Sequence, residues 1–242
     1  MRYINLISFV VMVVMNYLAN ALPINGNTTG GLSAQYPNLF VPAGITFSIW
    51  GVIYLLLAVF VVLQFRTQNN TVTEAIGWAF AISCILNSLW ILAWHYEKLP
   101  LSIMIMAVLL ISLVYINLQL RNHPVGIIRA AFGIYLGWIC IAAIANATAL
   151  LVNYNWGGWG IADQVWAIIM IGAGLLITSL TLYQMSNPFL GLAVIWAFTG
   201  IYINRQADYQ AIATSALIAA VLIAALTIYT FYITAFHKSP LT

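Results

Sequence analysis

Long apolar runs with almost no charge inside them are the feature that most constrains how this chain can fold. Charged residues make up 5% of the sequence and hydrophobic residues 64%, whereas a soluble domain carries about 25% charged residues. A chain so poor in charge cannot keep a globular surface hydrated, so it requires lipid as its solvent. The sequence therefore predicts an integral membrane protein whose first partner is the lipid bilayer.

The apolar runs can be counted against the thickness of a membrane, because a spanning helix needs about 20 apolar residues. The runs are continuous rather than alternating, which favours helices over a β-barrel. The prediction is an all-α protein with about eight transmembrane helices. They are expected at residues 3–22, 43–65, 75–94, 100–120, 125–152, 162–183, 188–203 and 211–236.

The first apolar run allows two interpretations. It follows a single arginine and ends near Ala19-Asn20-Ala21, a pattern that is typical of a cleaved secretory signal. Asn16 and Tyr17 interrupt the run, which favours a retained helix instead. The sequence leaves both interpretations open.

The positions of lysine and arginine predict the orientation, because cytoplasmic loops of membrane proteins are enriched in both residues. With the N-terminus inside, the cytoplasmic side carries Arg2, Arg66, Arg121, Arg129 and Lys238. The opposite side carries Lys98 and Arg205. We therefore expect both termini in the cytoplasm, and a bacterial plasma membrane as the location.

Lysine, arginine, acidic residues and histidine are absent from the middle of the predicted spans. The acids and histidines, which lie at span ends or in loops, are Glu74, Glu97, Asp163, Asp208, His95, His123 and His237. Ion-coupled pumps usually carry a buried carboxylate, and the cysteines and histidines show no metal-ligand spacing. There is no basic run of the kind that binds nucleic acid. We expect no catalytic residue, no metal site, no required cofactor and no nucleic-acid partner.

Aromatic and amide residues recur at helical spacing in three of the predicted spans, and a proline precedes them in the long outer loop of residues 23–42. Offsets of three, four or eight residues place the members of each span on one face. The candidate ligand-binding residues are Pro42, Phe47, Trp50, Tyr54, Asn87, Trp90, Tyr135, Trp138 and Asn146.

The two amides among these candidates suggest a cavity, because an amide within a span is costly unless it faces a partner or a hollow. With the orientation above, Trp50, Asn87 and Asn146 lie at similar depth, about 10 Å below the outer ends of their helices. They are therefore expected to point inward and to line a pocket that opens toward the outer loop. Plain helix packing is the alternative.

The same residues carry a resemblance to a known family. Residues 37–54, which include Phe47, Trp50 and Gly51, are similar to the loop and second helix of the TspO/MBR family. These are the tryptophan-rich sensory proteins, relatives of the mitochondrial translocator protein. Residues 86–90 resemble the family motif of the third helix, and residues 135–138 with Asn146 resemble that of the fifth.

The resemblance implies a five-helix transmembrane bundle over residues 1–152. Residues 153–242 would then form a C-terminal extension of about three transmembrane helices, as in a longer branch of the family. Family members bind porphyrins, some bind sterols, and homodimers are frequent. Some bacterial members alter protoporphyrin in light, and Trp50 and Trp138 match the tryptophans implicated.

Three positions depart from the family pattern. The family has a double proline where this chain has Val41-Pro42, and tryptophans where this chain has Gly44 and Ser88. These changes remove flat surfaces on which a tetrapyrrole would stack.

Three functions remain open from the sequence. The first is a ligand-binding or sensory membrane protein for a flat hydrophobic molecule such as a porphyrin or sterol. The second is a small-molecule transporter. The third is a membrane enzyme that modifies a tetrapyrrole or another pigment, although the absence of a catalytic set favours the first.

Overall fold

The computed structural model describes residues 1–22, 24–66 and 70–236, and its regular elements in these ranges are helices, as predicted. The principal helices are α1 (Arg2–Ala21), α2 (Thr29–Gln35), α3 (Ile49–Leu63), α4 (Asn70–Ile76), α5 (Ala79–His95), α6 (Leu99–Gln119), α7 (Ile127–Asn153), α8 (Asp163–Met185), α9 (Phe189–Arg205) and α10 (Gln210–Phe236). Lys238 and His237, which entered the sequence argument, lie outside the described residues, as does Pro23 at the start of the outer loop.

The predicted count of eight spans is not confirmed. Among the described residues, six helices are long and apolar enough to cross a membrane, and a seventh span results if α4 and α5 are counted together. These two helices are bent by 51° at Gly77, whose φ of 58° lies in the left-handed region. The remaining apolar helix, α9, has 17 residues, which is short for a full crossing.

Helix α7 occupies the centre of the bundle. It packs against α3, α6 and α9. In its most apolar stretch, 67% of the residues are buried. Helix α1 packs against α5 and α3. Helix α10 closes the far side by packing on α8 and α9.

Close approach of α9 to its neighbours depends on glycine. A Cβ on Gly137 of α7 would lie 2.3 Å from the carbonyl oxygen of Leu190 in α9. A Cβ on Gly200 of α9 would lie 2.1 Å from the hydroxyl oxygen of Thr46, in the 3₁₀ turn Gly44–Ser48 that leads into α3. Small residues allow helix backbones to approach in this way in membranes. These glycines allow the helices after residue 152 to pack against the preceding bundle. The domain boundary at residue 152 stays a prediction.

Candidate ligand-binding site

A cavity of about 1680 Å³ lies among α1, α3, the end of α7, the first part of α8 and the outer loop. The loop covers it with a short helix, α2, and with residues 36–42. Ligand pockets in proteins typically measure about 300–1,000 Å³ and are mostly apolar. The cavity is therefore large enough for a ligand the size of a sterol or a tetrapyrrole.

Four of the nine predicted site residues line this cavity, namely Pro42, Phe47, Trp50 and Tyr54. All four come from the loop, the 3₁₀ turn and α3, where the helical spacing predicted a shared face. The structure therefore places one of the three predicted aromatic faces directly on the hollow.

Three further predicted residues, Trp90, Tyr135 and Trp138, lie behind Trp50 rather than on the cavity surface. The centroid of the Trp50 ring is 6.3 Å from that of Trp90, 6.1 Å from that of Tyr135 and 6.3 Å from that of Trp138. Phe47 also meets Trp138 edge-on at 5.9 Å. These rings support the cavity wall, because aromatic pairs at such distances favour offset-stacked and edge-to-face contacts.

The rings of α3 and α5 form an aromatic stack that runs up to the outer loop. Tyr54 stacks on Trp50 at 5.6 Å, Trp50 on Trp90, and Trp90 on Trp94 at 6.2 Å, with interplanar angles between 21° and 28°. The ring of Tyr36, in the loop, follows at 6.0 Å from Trp94. A nearly parallel stack holds the Trp50 indole in one orientation at the cavity surface.

Asn87 stands in a buried hydrogen-bond chain that joins three helices. Nδ2 of Asn16 in α1 donates to Oδ1 of Asn87 at 2.8 Å, and Nδ2 of Asn87 donates to the hydroxyl of Tyr135 in α7 at 3.0 Å. Asn87 does point inward, as predicted, but it reaches the cavity only through Asn16, which lines it. Asn16 was not among the predicted site residues, although an amide inside an apolar run is a signal that could have indicated it.

Asn146 does not line the cavity, although its depth in the span predicted that it would. It is 2% exposed, and it exchanges hydrogen bonds of 2.8 and 2.9 Å with the hydroxyl of Ser102 in α6. The side chain is turned inward, but toward α6 and not toward the cavity. Helical spacing could not reveal this partner, because Ser102 belongs to another span.

The outer loop is fixed to the top of α5. The hydroxyl of Tyr36 donates to Oε2 of Glu97 at 2.8 Å, and Nε1 of Trp94 donates to the carbonyl of Thr29 at 3.4 Å. The pKa of Tyr36 is raised to about 12, first by burial and then by the hydrogen bond to Glu97 and the negative charge of that carboxylate. The phenol therefore remains a proton donor at neutral pH. The two hydrogen bonds hold the loop against the end of α5.

The C-terminal helices contribute part of the cavity wall that sequence reasoning did not predict. Trp156 and Trp166 line the cavity and pack with Trp159, the three ring centroids lying 5.0–5.8 Å apart. Arg205, at the end of α9, lines it as well. Tryptophans near the ends of spans are common at membrane interfaces, and nothing in the sequence indicated that α8 would meet the outer loop across a hollow.

Polar groups near the aromatic wall are few, and some lack partners. Within the described residues, the hydroxyl of Tyr54 and the indole nitrogens of Trp90 and Trp138 are buried without a hydrogen-bond partner. No cluster of histidine, cysteine or acidic side chains suited to a metal ion occurs in the described ranges. The arrangement offers a ligand apolar burial and contact with aromatic rings.

Comparison with known proteins gives one match. The sequence model of the family described as TSPO-like protein matches residues 2–229. The matched region thus extends beyond residue 152 and includes most of the C-terminal helices. No curated protein and no solved structure shows significant similarity to the chain.

Proposed function

Because the chain belongs to the family of TSPO-like proteins, we propose that this integral membrane protein is a ligand-binding or sensory protein. Its ligand is a flat hydrophobic molecule, such as a porphyrin or a sterol-like molecule, held in the cavity beneath the outer loop. The observation that carries the proposal is the Trp50 indole, which lines this cavity and packs against the rings of Tyr54 and Trp90.

The shape of the wall supports a planar ligand. An indole whose orientation is fixed by neighbouring rings loses little conformational freedom when a ligand stacks on it. Burial of apolar surface would supply most of the affinity, at roughly 25 cal/mol per Å². Gly44 also lines the cavity, and a Cβ there would meet nothing within 4 Å. The position where the family has a tryptophan therefore has open space around it, which leaves more room for a ligand in this part of the cavity.

Binding is favoured over transport by the place of the helix break. Transporters typically bind substrate at broken helices near the bilayer midplane. Here the break at Gly77 lies near the start of the span, before α5, and it does not line the cavity. An enzyme would consume its ligand with time or in light, whereas a binder returns it unchanged.

The orientation, location and assembly are part of the same proposal. With both termini in the cytoplasm of a bacterial plasma membrane, the cavity opens toward the outer leaflet, from which a hydrophobic molecule could partition. A homodimer is the expected assembly by analogy with the family.

The test is a ligand titration of the purified protein in lipid nanodiscs. Protoporphyrin IX, biliverdin and cholesterol are the probes, and quenching or shift of tryptophan fluorescence measures affinity. We expect saturable binding of at least one probe and recovery of that probe unchanged. The Trp50→Leu variant should bind it at least about tenfold more weakly, because it loses a stacking partner and buried area.

Trp78→Leu is the matched control, because Trp78 is 54% exposed and does not line the cavity. It should retain the wild-type affinity. Absence of saturable binding for all three probes would contradict the proposal. Time-dependent loss of the bound probe would favour the enzyme, and probe movement across sealed vesicles would favour the transporter.

A further inference from the structure

The end of α9 is joined to the outer loop by a set of hydrogen bonds that the proposed function does not use. Arg205 donates from Nε to the carbonyl of Leu39 at 3.0 Å and from Nη2 to the carbonyl of Asn38 at 2.9 Å. The neighbouring Asn204 donates from Nδ2 to the carbonyl of Val41 at 2.9 Å. Two adjacent side chains of one helix therefore hold three carbonyls of the loop that covers the cavity.

The same contact continues toward α3. The backbone amide of Ala43 donates to the carbonyl of Gly200 at 3.0 Å, and Nε1 of Trp196 donates to the carbonyl of Thr46 at 2.8 Å. Gly200 has no side chain to separate α9 from this segment. The whole stretch of residues 38–46 is thus held along one helix of the C-terminal region.

The bonds from the loop to α5 lie earlier in the sequence. They involve Asn25, Thr29 and Tyr36 of the loop. Within residues 38–43 the remaining bonds are local. Nδ2 of Asn38 donates to the carbonyl of Tyr36, and the amide of Phe40 donates to Oδ1 of Asn38. Residues 38–43 therefore depend on α9 for their position over the cavity.

We propose that Arg205 is a positioning residue that keeps residues 38–43 closed over the cavity, so that the C-terminal helices control ligand exchange. The control of exchange rests on the proposed function, whereas the closure of the loop does not. Arginine suits this role because its planar fork can serve several carbonyl acceptors at once, whereas a lysine ammonium acts as a flexible point charge. Charge-assisted bonds of this kind are the stronger ones.

The consequence for the cavity is geometric. Leu39, Phe40, Val41 and Pro42 all line it, and so does Arg205 beside them. Release of the Arg205 bonds would loosen the start of this lining stretch, at Asn38 and Leu39, without disturbing the Trp50 stack. The expected phenotype is therefore a change in the rates of ligand entry and release, with a smaller change in equilibrium affinity.

The first experiment needs no ligand. Hydrogen–deuterium exchange of the wild-type protein in phosphatidylcholine nanodiscs is compared with that of Arg205→Gln, Arg205→Lys and Asn204→Ala. We expect the amide of Phe40, which donates to Oδ1 of Asn38, to exchange at least about tenfold faster in Arg205→Gln and by an intermediate factor in Arg205→Lys. Arg66→Gln is the control, because Arg66 is exposed just beyond the end of α3 and does not line the cavity.

The second experiment measures stopped-flow binding and release of whichever probe binds the wild-type protein. Arg205→Gln should raise both rate constants several-fold while the Trp50→Leu variant changes mainly the affinity. Unchanged amide exchange in Arg205→Gln would overturn the closure. If that variant does not fold, Arg205→Lys and Asn204→Ala decide, since each retains part of the contact. If no probe binds but amide exchange accelerates, the proposed function fails while the closure stands.

Discussion

The amide of Asn87 in α5 donates a 3.0 Å hydrogen bond to the hydroxyl of Tyr135 in α7, inside a wall of aromatic rings. Both residues are fully buried. Asn87 also accepts the bond from Asn16, so one carboxamide joins α1, α5 and α7 directly behind the cavity. The polar chain and the aromatic stack thus support the same surface.

Replacement of Asn87 by leucine should destabilise the bundle, because it removes the hydrogen bonds to Asn16 and Tyr135 and leaves Asn16 only its bond to the carbonyl of Met12. Hydrogen bonds between transmembrane helices contribute about 0.6–2 kcal/mol each, so the loss of two should lower the free energy of unfolding by roughly 1–4 kcal/mol. Reversible unfolding in mixed micelles measures it. Asn122→Ala, at an exposed position in the turn after α6, is the control and should behave as wild type.

Substitution in the Asn146–Ser102 pair should affect the stability of the fold but not the affinity for a ligand. Asn146→Leu should lower the unfolding temperature, since the hydroxyl of Ser102 then loses a buried partner. Because Asn146 does not line the cavity, affinity for a probe ligand should change by less than about twofold. A large loss of affinity in a variant that remains folded would assign Asn146 to the binding surface instead.

Gly44→Trp is a gain-of-function test. The position lines the cavity and would have open space around an added Cβ, and the substitution restores the tryptophan that the resembled family carries. An added aromatic contact contributes about 0.5–1.5 kcal/mol, so we expect protoporphyrin IX to bind about two- to tenfold more tightly. Gly51→Trp provides the comparison, since Gly51 is exposed in α3, has equally open surroundings and does not line the cavity.

The close contact of α7 with α9 can be tested by adding one methyl group. Gly137→Ala places a Cβ against the carbonyl of Leu190 and should cost about 1–3 kcal/mol of stability through overpacking. Gly172→Ala, in α8 with nothing within 4 Å, should be neutral or slightly stabilising. Unfolding of the two variants side by side distinguishes a packing effect from a general effect of removing glycine.

The bond between Tyr36 and Glu97 should give a pH dependence at alkaline pH. The pKa of Tyr36 is raised from 10.0 to about 12 in the folded protein. A raised pKa means that the folded state favours the protonated phenol, so its contribution is complete below pH 10 and is lost as pH rises to about 12. The difference in unfolding temperature between wild type and Tyr36→Phe should therefore stay constant up to pH 10 and change between pH 10 and 12.

Much of the architecture followed from local physics. A helix in lipid satisfies its own backbone hydrogen bonds, so the apolar runs alone predicted the helical membrane class and the approximate positions of α1, α3, α6, α7, α8 and α10. The count of eight is not confirmed, because length and hydropathy do not reveal the bend at Gly77 or decide whether the 17 residues of α9 cross the membrane.

The site shows the same division between local and long-range information. Helical spacing placed Phe47, Trp50 and Tyr54 on one face, because that relation lies within one helix. Which helices meet across a hollow depends on contacts between distant segments. Asn146 turned to Ser102 in α6, and Arg205 reached a loop more than 160 residues earlier in the chain. The sequence alone determined the membrane class and the aromatic face of α3, whereas only the tertiary structure decided what that face opens onto and what covers it.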